Sequence, residues 1–473
     1  MEFLILIGII WFLAYVFGGN KKTNSNQSTY SYKAPELPKP KLNEKSVDLS
    51  DITLSDEQKK LFDILEQTNN NVFITGKAGT GKSLLLQYFK QNSNKKLVVC
   101  APTGVAALNV GGQTIHSLFK IPPSFIKKGS IHLDYKTATL LKNIDAVVID
   151  EISMVRADLM DAIDESLRVA RLNDLPFGGV QIIMFGDLYQ LPPVVSDPEL
   201  HKYFADNNGG FYFFNADVWK KTELNKYELN HIFRQNDENF KEVLNAIRIG
   251  NVTETLLLRV NQRAGVEIPD TNVVTLATTN RTVSDINSYQ LEKLPGEVKE
   301  YHATISGNLE ESSFPTEENL RLKVGAQVML IKNDKEKRWV NGTIGKIYSI
   351  SDNEIKVDID GIKYAVSQET WGKIRYYYNQ ETHQIEEEPV SSFTQYPLRL
   401  AWAITVHKSQ GKTYGSVIVD MEGGAFAHGQ TYVALSRCKT LEGLYLKRAI
   451  LKEDIIVDNA VINFMSEATI LES

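Results

Sequence analysis

Apolar positions along the chain fall into three regimes. Residues 3–17 form an unbroken apolar run, and residues 20–48 carry few large apolar groups and much Lys, Pro, Ser, Thr and Asn. From Leu54 onward, short apolar runs alternate with amphipathic stretches. Ser55 with Gln58 three residues later fits a capping box, and Leu61, Phe62, Ile64 and Leu65 mark the apolar face of the helix it would start. Apolar runs at 72–75, 97–101, 146–149 and 181–185 follow, each ending in polar chemistry: a glycine-rich loop, Pro102-Thr103-Gly104, Asp150-Glu151, and Gly186 through Gln190. Buried strands with ligand-binding residues at their carboxyl ends predict a parallel α/β sheet. A run at 273–280 entering a helix near 285–294, with strands at 416–420 and 444–447, predicts a second α/β unit. Between 341 and 395 the pattern changes: alternation dominates in KIYSI (346–350) and EIKVDID (354–360), with turn residues at 351–353 and 360–361, and several short strands close together predict a small inserted β-barrel.

Composition sharpens this only by exclusion. With 42% hydrophobic and 23% charged residues over 473 positions, the chain is not mainly disordered, collagen-like, coiled-coil or multispanning. The net charge of −6 gives no overall signature for nucleic acid. Cys100 and Cys438 are far apart and form no CxxC, so a four-cysteine metal site is excluded and no structural metal is expected.

The N-terminal run reaches about 25 Å as a helix, short against a hydrocarbon core of about 30 Å. A secretory signal is the rival reading, but Glu2 replaces the usual positive charge and no small-residue cleavage site follows. The expectation is an uncleaved anchor over 1–19, a flexible linker over 20–48, and a motor held at the cytoplasmic face of the membrane by the Lys21-Lys22 bias.

The strongest chemical signal is Gly76-Lys77-Ala78-Gly79-Thr80-Gly81-Lys82-Ser83 between a strand and a helix, which fits G-x-x-x-x-G-K-[ST]. Gly76, Gly79, Thr80 and Gly81 let backbone N–H groups turn toward phosphate at a helix N-terminus. Lys82 then supplies charge to the β- and γ-phosphates of ATP, and Ser83 a hydroxyl to Mg²⁺. Asp150 is placed for the metal shell and Glu151 to orient or deprotonate a water; both alternatively cap the next helix. Gln58 has a cap as its alternative role.

These motifs occur in order with others: APTGVAA (101–107), GQTIHSLF (112–119), VVIDEISM (147–154), GDLYQLPPV (186–194), LNHIFRQ (229–235), VNGTIGKI (340–347), AITVHKSQGKT (403–413) and YVALSRCK (432–439). Together, over about 54–450, they resemble superfamily 1 helicases of the 5′-to-3′ petite-integration-frequency (PIF) and RecD-like branch. The resemblance implies two RecA-like P-loop motor domains, at 49–228 and at 229–340 plus 396–473, with an SH3-like β-barrel at 341–395. It implies a monomeric, ATP- and Mg²⁺-dependent motor that moves 5′-to-3′ on single-stranded DNA and opens duplex junctions in repair, recombination or genome maintenance. Gln58 resembles the adenine-reading glutamine and Gln190 the γ-phosphate sensor. Arg234 and Arg437 resemble arginines that reach the nucleotide across the interdomain cleft; Arg437 is otherwise a surface ion-pair partner. Thr103, His116, His407 and Lys408 fall in motifs that line the single-strand path, and Lys120, Lys127, Lys128, Lys332, Lys335, Lys337, Arg338, Arg399 and Lys412 are further candidates for that groove. Residues 117–142 are either a duplex-splitting wedge or a plain surface loop. A protein-remodelling ATPase and an RNA helicase are the competing readings.

Overall fold

The computed structural model describes residues 54–77, 79–195, 197–231, 237–268, 273–351 and 354–470. The expected anchor and linker, and Arg234, lie outside the described residues. Among the described residues, no helix is long and apolar enough to cross a membrane.

The first unit runs α1 (Asp56–Gln67), β1 (Val72–Gly76), α2 (Lys82–Asn92), β2 (Leu97–Ala101), α3 (Gly104–Asn109), β3 (Gln113–Thr114), α4 (Ile115–Phe119), α5 (Tyr135–Lys142), β4 (Ala146–Ile149), α6 (Ala157–Arg171), β5 (Gln181–Phe185), α7 (Pro198–Asn208) and β6 (Asn225–Leu229). Its strands pair in parallel in the order β6-β1-β5-β4-β2-β3. Val72, Phe73, Ile74, Val147 and Ile183 are fully buried, as strands covered on both faces must be. The polar carboxyl ends of β1, β4 and β5 therefore converge on one edge.

The second unit begins with α8 (Glu238–Arg248), α9 (Glu254–Asn261), β7 (Val274–Ala277) and α10 (Asn280–Lys293). A β-rich stretch follows: β8 (Lys299–His302), β9 (Thr304–Ser306), β10 (Asn319–Leu322), β11 (Gln327–Leu330), β12 (Ile344–Ile350), β13 (Ile355–Ile359), β14 (Ile362–Val366), β15 (Glu369–Asn379), β16 (Gln384–Gln395) and β17 (Leu398–Leu400). The chain closes with β18 (Ala403–Thr405), β19 (Val417–Asp420), α11 (Gln430–Leu435), β20 (Leu444–Leu446), α12 (Asn459–Met465) and β21 (Thr469–Ile470). The second parallel sheet has the order β18-β7-β19-β20.

The insertion is wider than 341–395. Its antiparallel sheet, β14-β13-β12-β11-β17, draws strands from both sides of that window and packs Leu320, Val328, Leu330, Ile347, Ile355, Val357 and Leu398 into its own core. Strands β15 and β16 do not belong to that sheet; they make a long hairpin that pairs with β9. The hairpin docks on the first unit through Gln113, whose side-chain amide donates to Ile374 O at 2.8 Å and accepts from Tyr376 N at 3.4 Å. The chain end also departs from the expected partition: β21 pairs with β6, and Phe464 of α12 stacks on Phe214 at 4.2 Å. Residues 117–142 are not a plain surface loop, since they include α5 and bury Ile121, Ile126, Leu140 and Leu141 in the main core.

Candidate functional site: a nucleotide cleft and a neighbouring cationic cleft

Helix α1 starts at a complete capping box: Ser55 Oγ accepts from Gln58 N at 3.3 Å, and Gln58 Oε1 accepts from Ser55 N at 3.0 Å. The buried Gln58 also donates from Nε2 to Gly81 O at 3.4 Å, so the cap and contact with the glycine-rich loop coexist in one side chain. Gly81 has φ 82°, in the left-handed region that favours glycine, and precedes α2 without a side-chain cap. The first N–H groups of α2 are therefore not taken by a side chain at its N-cap. Thr80 Oγ1 donates to Lys77 O at 3.1 Å, and Lys82 Nζ donates to Gly76 O at 2.6 Å and Lys77 O at 3.2 Å. Ser83 is the second residue of α2.

Across the edge, Asp150 and Glu151 follow β4. Glu151 has φ 50°, a left-handed conformation uncommon outside glycine, and makes no side-chain cap to the short turn Ile152–Met154. The capping alternative for Glu151 does not hold. Both side chains keep some exposure yet lie deep among protein atoms. Burial, then the Glu151 charge, pushes the Asp150 carboxyl up to about 7. Burial also raises Glu151, against the pull of the Lys82 and Arg437 charges. Gln190 is buried, and its Nε2 donates to Asp187 Oδ2 at 3.2 Å.

Arg437 is no surface ion-pair partner: it is 1% exposed. Its Nε donates to Val433 O at 2.8 Å and Nη2 to Ser436 Oγ at 2.8 Å, with Ser409 and Lys412 carbonyls at 3.4 and 3.3 Å. It nonetheless lies near enough to Glu151 for its charge to favour that carboxylate. The second unit touches the first directly beside Gln190, where His428 Nε2 lies 2.7 Å from Leu188 O.

The remaining expected residues fall in two places. Thr103 caps α3, accepting from Ala106 N at 3.2 Å, and His116 is half-buried on α4, its pKa lowered by burial and then by Arg156. His407 and Lys408 sit on a short turn after β18 and line a cleft of about 350 Å³ with Thr278, Thr279, Asn280, Thr405 and Phe426. Phe426 is 63% exposed, and α10 begins at this cleft with Thr279 as its cap. Nearby, burial and then the Arg399 and Lys408 charges push the Lys412 ammonium down to about 7. Four other groove candidates are already paired with carboxylates: Lys128 with Asp217, Lys332 and Lys335 with Glu369, and Arg338 with Asp334. Sequence reasoning missed Phe426, Asp187 and Arg248. Asp187 lay within a quoted motif. An isolated phenylalanine between small residues, and an arginine closing an amphipathic helix, carry no local signal.

Comparison with known proteins agrees with this geometry. The model of the PIF1-like helicase family matches residues 53–256, and that of the DNA helicase Pif1 2B domain matches 308–350. The ATP-dependent DNA helicase Pif1 of Bdellovibrio bacteriovorus is 33% identical, with 88% of this chain and 92% of the relative covered. The crystal structure of Bacteroides sp. Pif1 in complex with ADP-AlF4 is 40% identical, covers 88% of this chain and 97% of its own, and superposes with a TM-score of 0.82. Bacteroides Pif1 bound to ssDNA is 41% identical with the same coverage and a TM-score of 0.64. The chain belongs to the PIF1-like helicase family.

Proposed function

We propose that this chain, an ATP-hydrolysing DNA helicase, moves 5′-to-3′ along single-stranded DNA and opens duplex junctions in repair, recombination or genome maintenance. The observation that carries the reading is the meeting of Lys82, Asp150, Glu151 and Gln190 at the edge of one parallel sheet with Arg437 from the next unit, whose charge reaches Glu151. Gln58 reads the base, while Gly76, Gly79, Thr80, Gly81 and Lys82 cradle the phosphates. Glu151 accepts a proton from the attacking water, Gln190 senses the γ-phosphate, and Arg234 and Arg437 meet charge spreading onto the transferring group.

Ser83 and Asp150 offer the hard oxygen donors that Mg²⁺ takes, and the upward shift of Asp150 to about 7 comes first from burial and then from the Glu151 charge, both of which a bound cation offsets. The metal, when bound, neutralises charge on the β- and γ-phosphates.

For the strand, the cleft at His407 and Lys408 combines an exposed aromatic face at Phe426, the Lys408 ammonium and the start of α10. Stacking and phosphate contact are the two sequence-independent means of holding single strands. Thr103 and His116 extend the path on the first unit, and the segment at 117–142 acts as the wedge. In this reading the two parallel sheets are the motor domains, and the antiparallel insertion within the second, between β7 and β18, is SH3-like. The chain works as a monomer, anchored by residues 1–19 to the inner face of the membrane. Steady-state ATPase with and without single-stranded DNA, across a salt series, tests the reading. Strong stimulation that fades with salt and is blunted by Phe426→Ala is expected. Turnover indifferent to DNA would contradict it.

A further inference from the structure

Arg248 closes α8 and is 5% exposed, whereas the other buried residues of that helix are apolar. A buried guanidinium is costly unless it is well partnered. Its Nη1 donates to Glu228 Oε1 at 3.0 Å and its Nη2 to Asp187 Oδ1 at 3.4 Å, while its plane lies 4.2 Å from the Tyr189 ring centroid. Glu228 pairs in register with Thr75, one residue before the phosphate-loop glycine Gly76. Asp187 is 1% exposed and uses its other oxygen to accept from Gln190 Nε2 at 3.2 Å. A carboxylate only accepts, so this contact fixes which end of the Gln190 amide faces Asp187. The NH₂ group keeps one hydrogen for a phosphate oxygen, and the amide oxygen stays able to accept from water. Helix α8 also packs against α11, which leads directly into Arg437.

We propose that Arg248 is a positioning residue for ATP hydrolysis: through Asp187 it sets the orientation of the Gln190 amide, and through α8 it ties that orientation to the seat of the helix leading into Arg437. The inference rests on the reading of Gln190 as γ-phosphate sensor. Without Arg248, Asp187 loses a partner, the amide is no longer held, and the chemical step slows while the nucleotide still binds at the phosphate loop.

The test is a mutant cycle on the full chain, with ATP turnover measured in the presence of saturating single-stranded DNA for Arg248→Ala, Arg248→Lys, Gln190→Ala and the Arg248→Ala/Gln190→Ala pair, beside their melting temperatures. The expected result is a fall in kcat of about tenfold for Arg248→Ala with the KM for ATP little changed, and a double variant no slower than Gln190→Ala alone. Arg248→Lys keeps the charge but not the fork that spans two carboxylates, so a near-native melting temperature with reduced kcat is expected. Full turnover in a folded Arg248→Lys, or additive losses in the double variant, overturns the inference while leaving the sensor reading intact. Unchanged turnover in Gln190→Ala removes the sensor reading and this inference together.

Discussion

The Lys82 ammonium donates to the Gly76 carbonyl oxygen at 2.6 Å, which folds the charge assigned to ATP phosphates back onto the loop that would hold them. A second carbonyl, that of Lys77, lies at 3.2 Å. Hydrogen bonds to charged oxygens are shorter and stronger than those to carbonyls, so phosphate oxygens are better acceptors for this ammonium than either carbonyl.

Lys82→Ala is expected to lower ATP turnover by about 10²–10³-fold, the scale seen when one preorganised charge-stabilising group is removed. The lysine contacts loop carbonyls and not the core, so the melting temperature should hold within a few degrees. Near-normal turnover in the folded variant would remove the phosphate-loop assignment.

Glu151→Gln keeps the shape but not the basicity. Turnover is expected to fall by about 10²–10⁴-fold while ATP binding, followed by a fluorescent analogue, survives. Loss of nucleotide binding instead would make Glu151 a metal or structural residue.

Asp150 gives a pH signature. With its carboxyl at about 7 in the fold, against an ordinary value of 3.8, the native state binds a proton that the unfolded chain has released through that window. Stability contributed by this group is therefore full below about pH 4 and is lost as pH rises to about 7. Asp150→Asn, which mimics the protonated acid, should raise the melting temperature of the nucleotide-free protein at pH 7.5, with the gain shrinking toward pH 5. The same variant should lose most of its turnover. A melting-temperature gain that did not vary with pH would show that the carboxyl is ordinary.

Gly429 sits against the turn that carries Gln190 with φ 70°; a Cβ there would lie 2.5 Å from the Gln190 carbonyl oxygen and closer still to that of Tyr189. A side chain adds a left-handed backbone cost of about 1–2 kcal/mol. Gly429→Ala should therefore displace Gln190 and slow turnover by about tenfold, with single-stranded DNA affinity within about twofold of the parent. Wild-type turnover would show that the turn tolerates the shift.

The phosphate loop, the two carboxylates and the parallel strands were legible in the sequence because each is local: apolar run, glycine loop, capped helix. The second parallel sheet was legible for the same reason. What local pattern did not carry was pairing over long separations. Nothing around Gln113 announces that its amide will hold the backbone of Ile374 and Tyr376. Thr469–Ile470 is too short to show its return to β6. The alternation that located the insertion marked β12 and β13 but missed β8, β10 and β17 around them: β10 does alternate, yet runs of four and three residues such as β10 and β17 are too short for a period of two to stand out. Arg248 was invisible because its partners, Asp187 and Glu228, are distant in sequence and meet only through the sheet edge.

Partial duplexes carrying a single-stranded tail at only the 5′ or only the 3′ end, incubated with ATP and Mg²⁺, test the central claim most directly. The account predicts strand separation of the 5′-tailed substrate, none of the 3′-tailed one, and none of either with Lys82→Ala. Separation that required a 3′ tail, or none at all from a protein that hydrolyses ATP regardless of DNA, would contradict it.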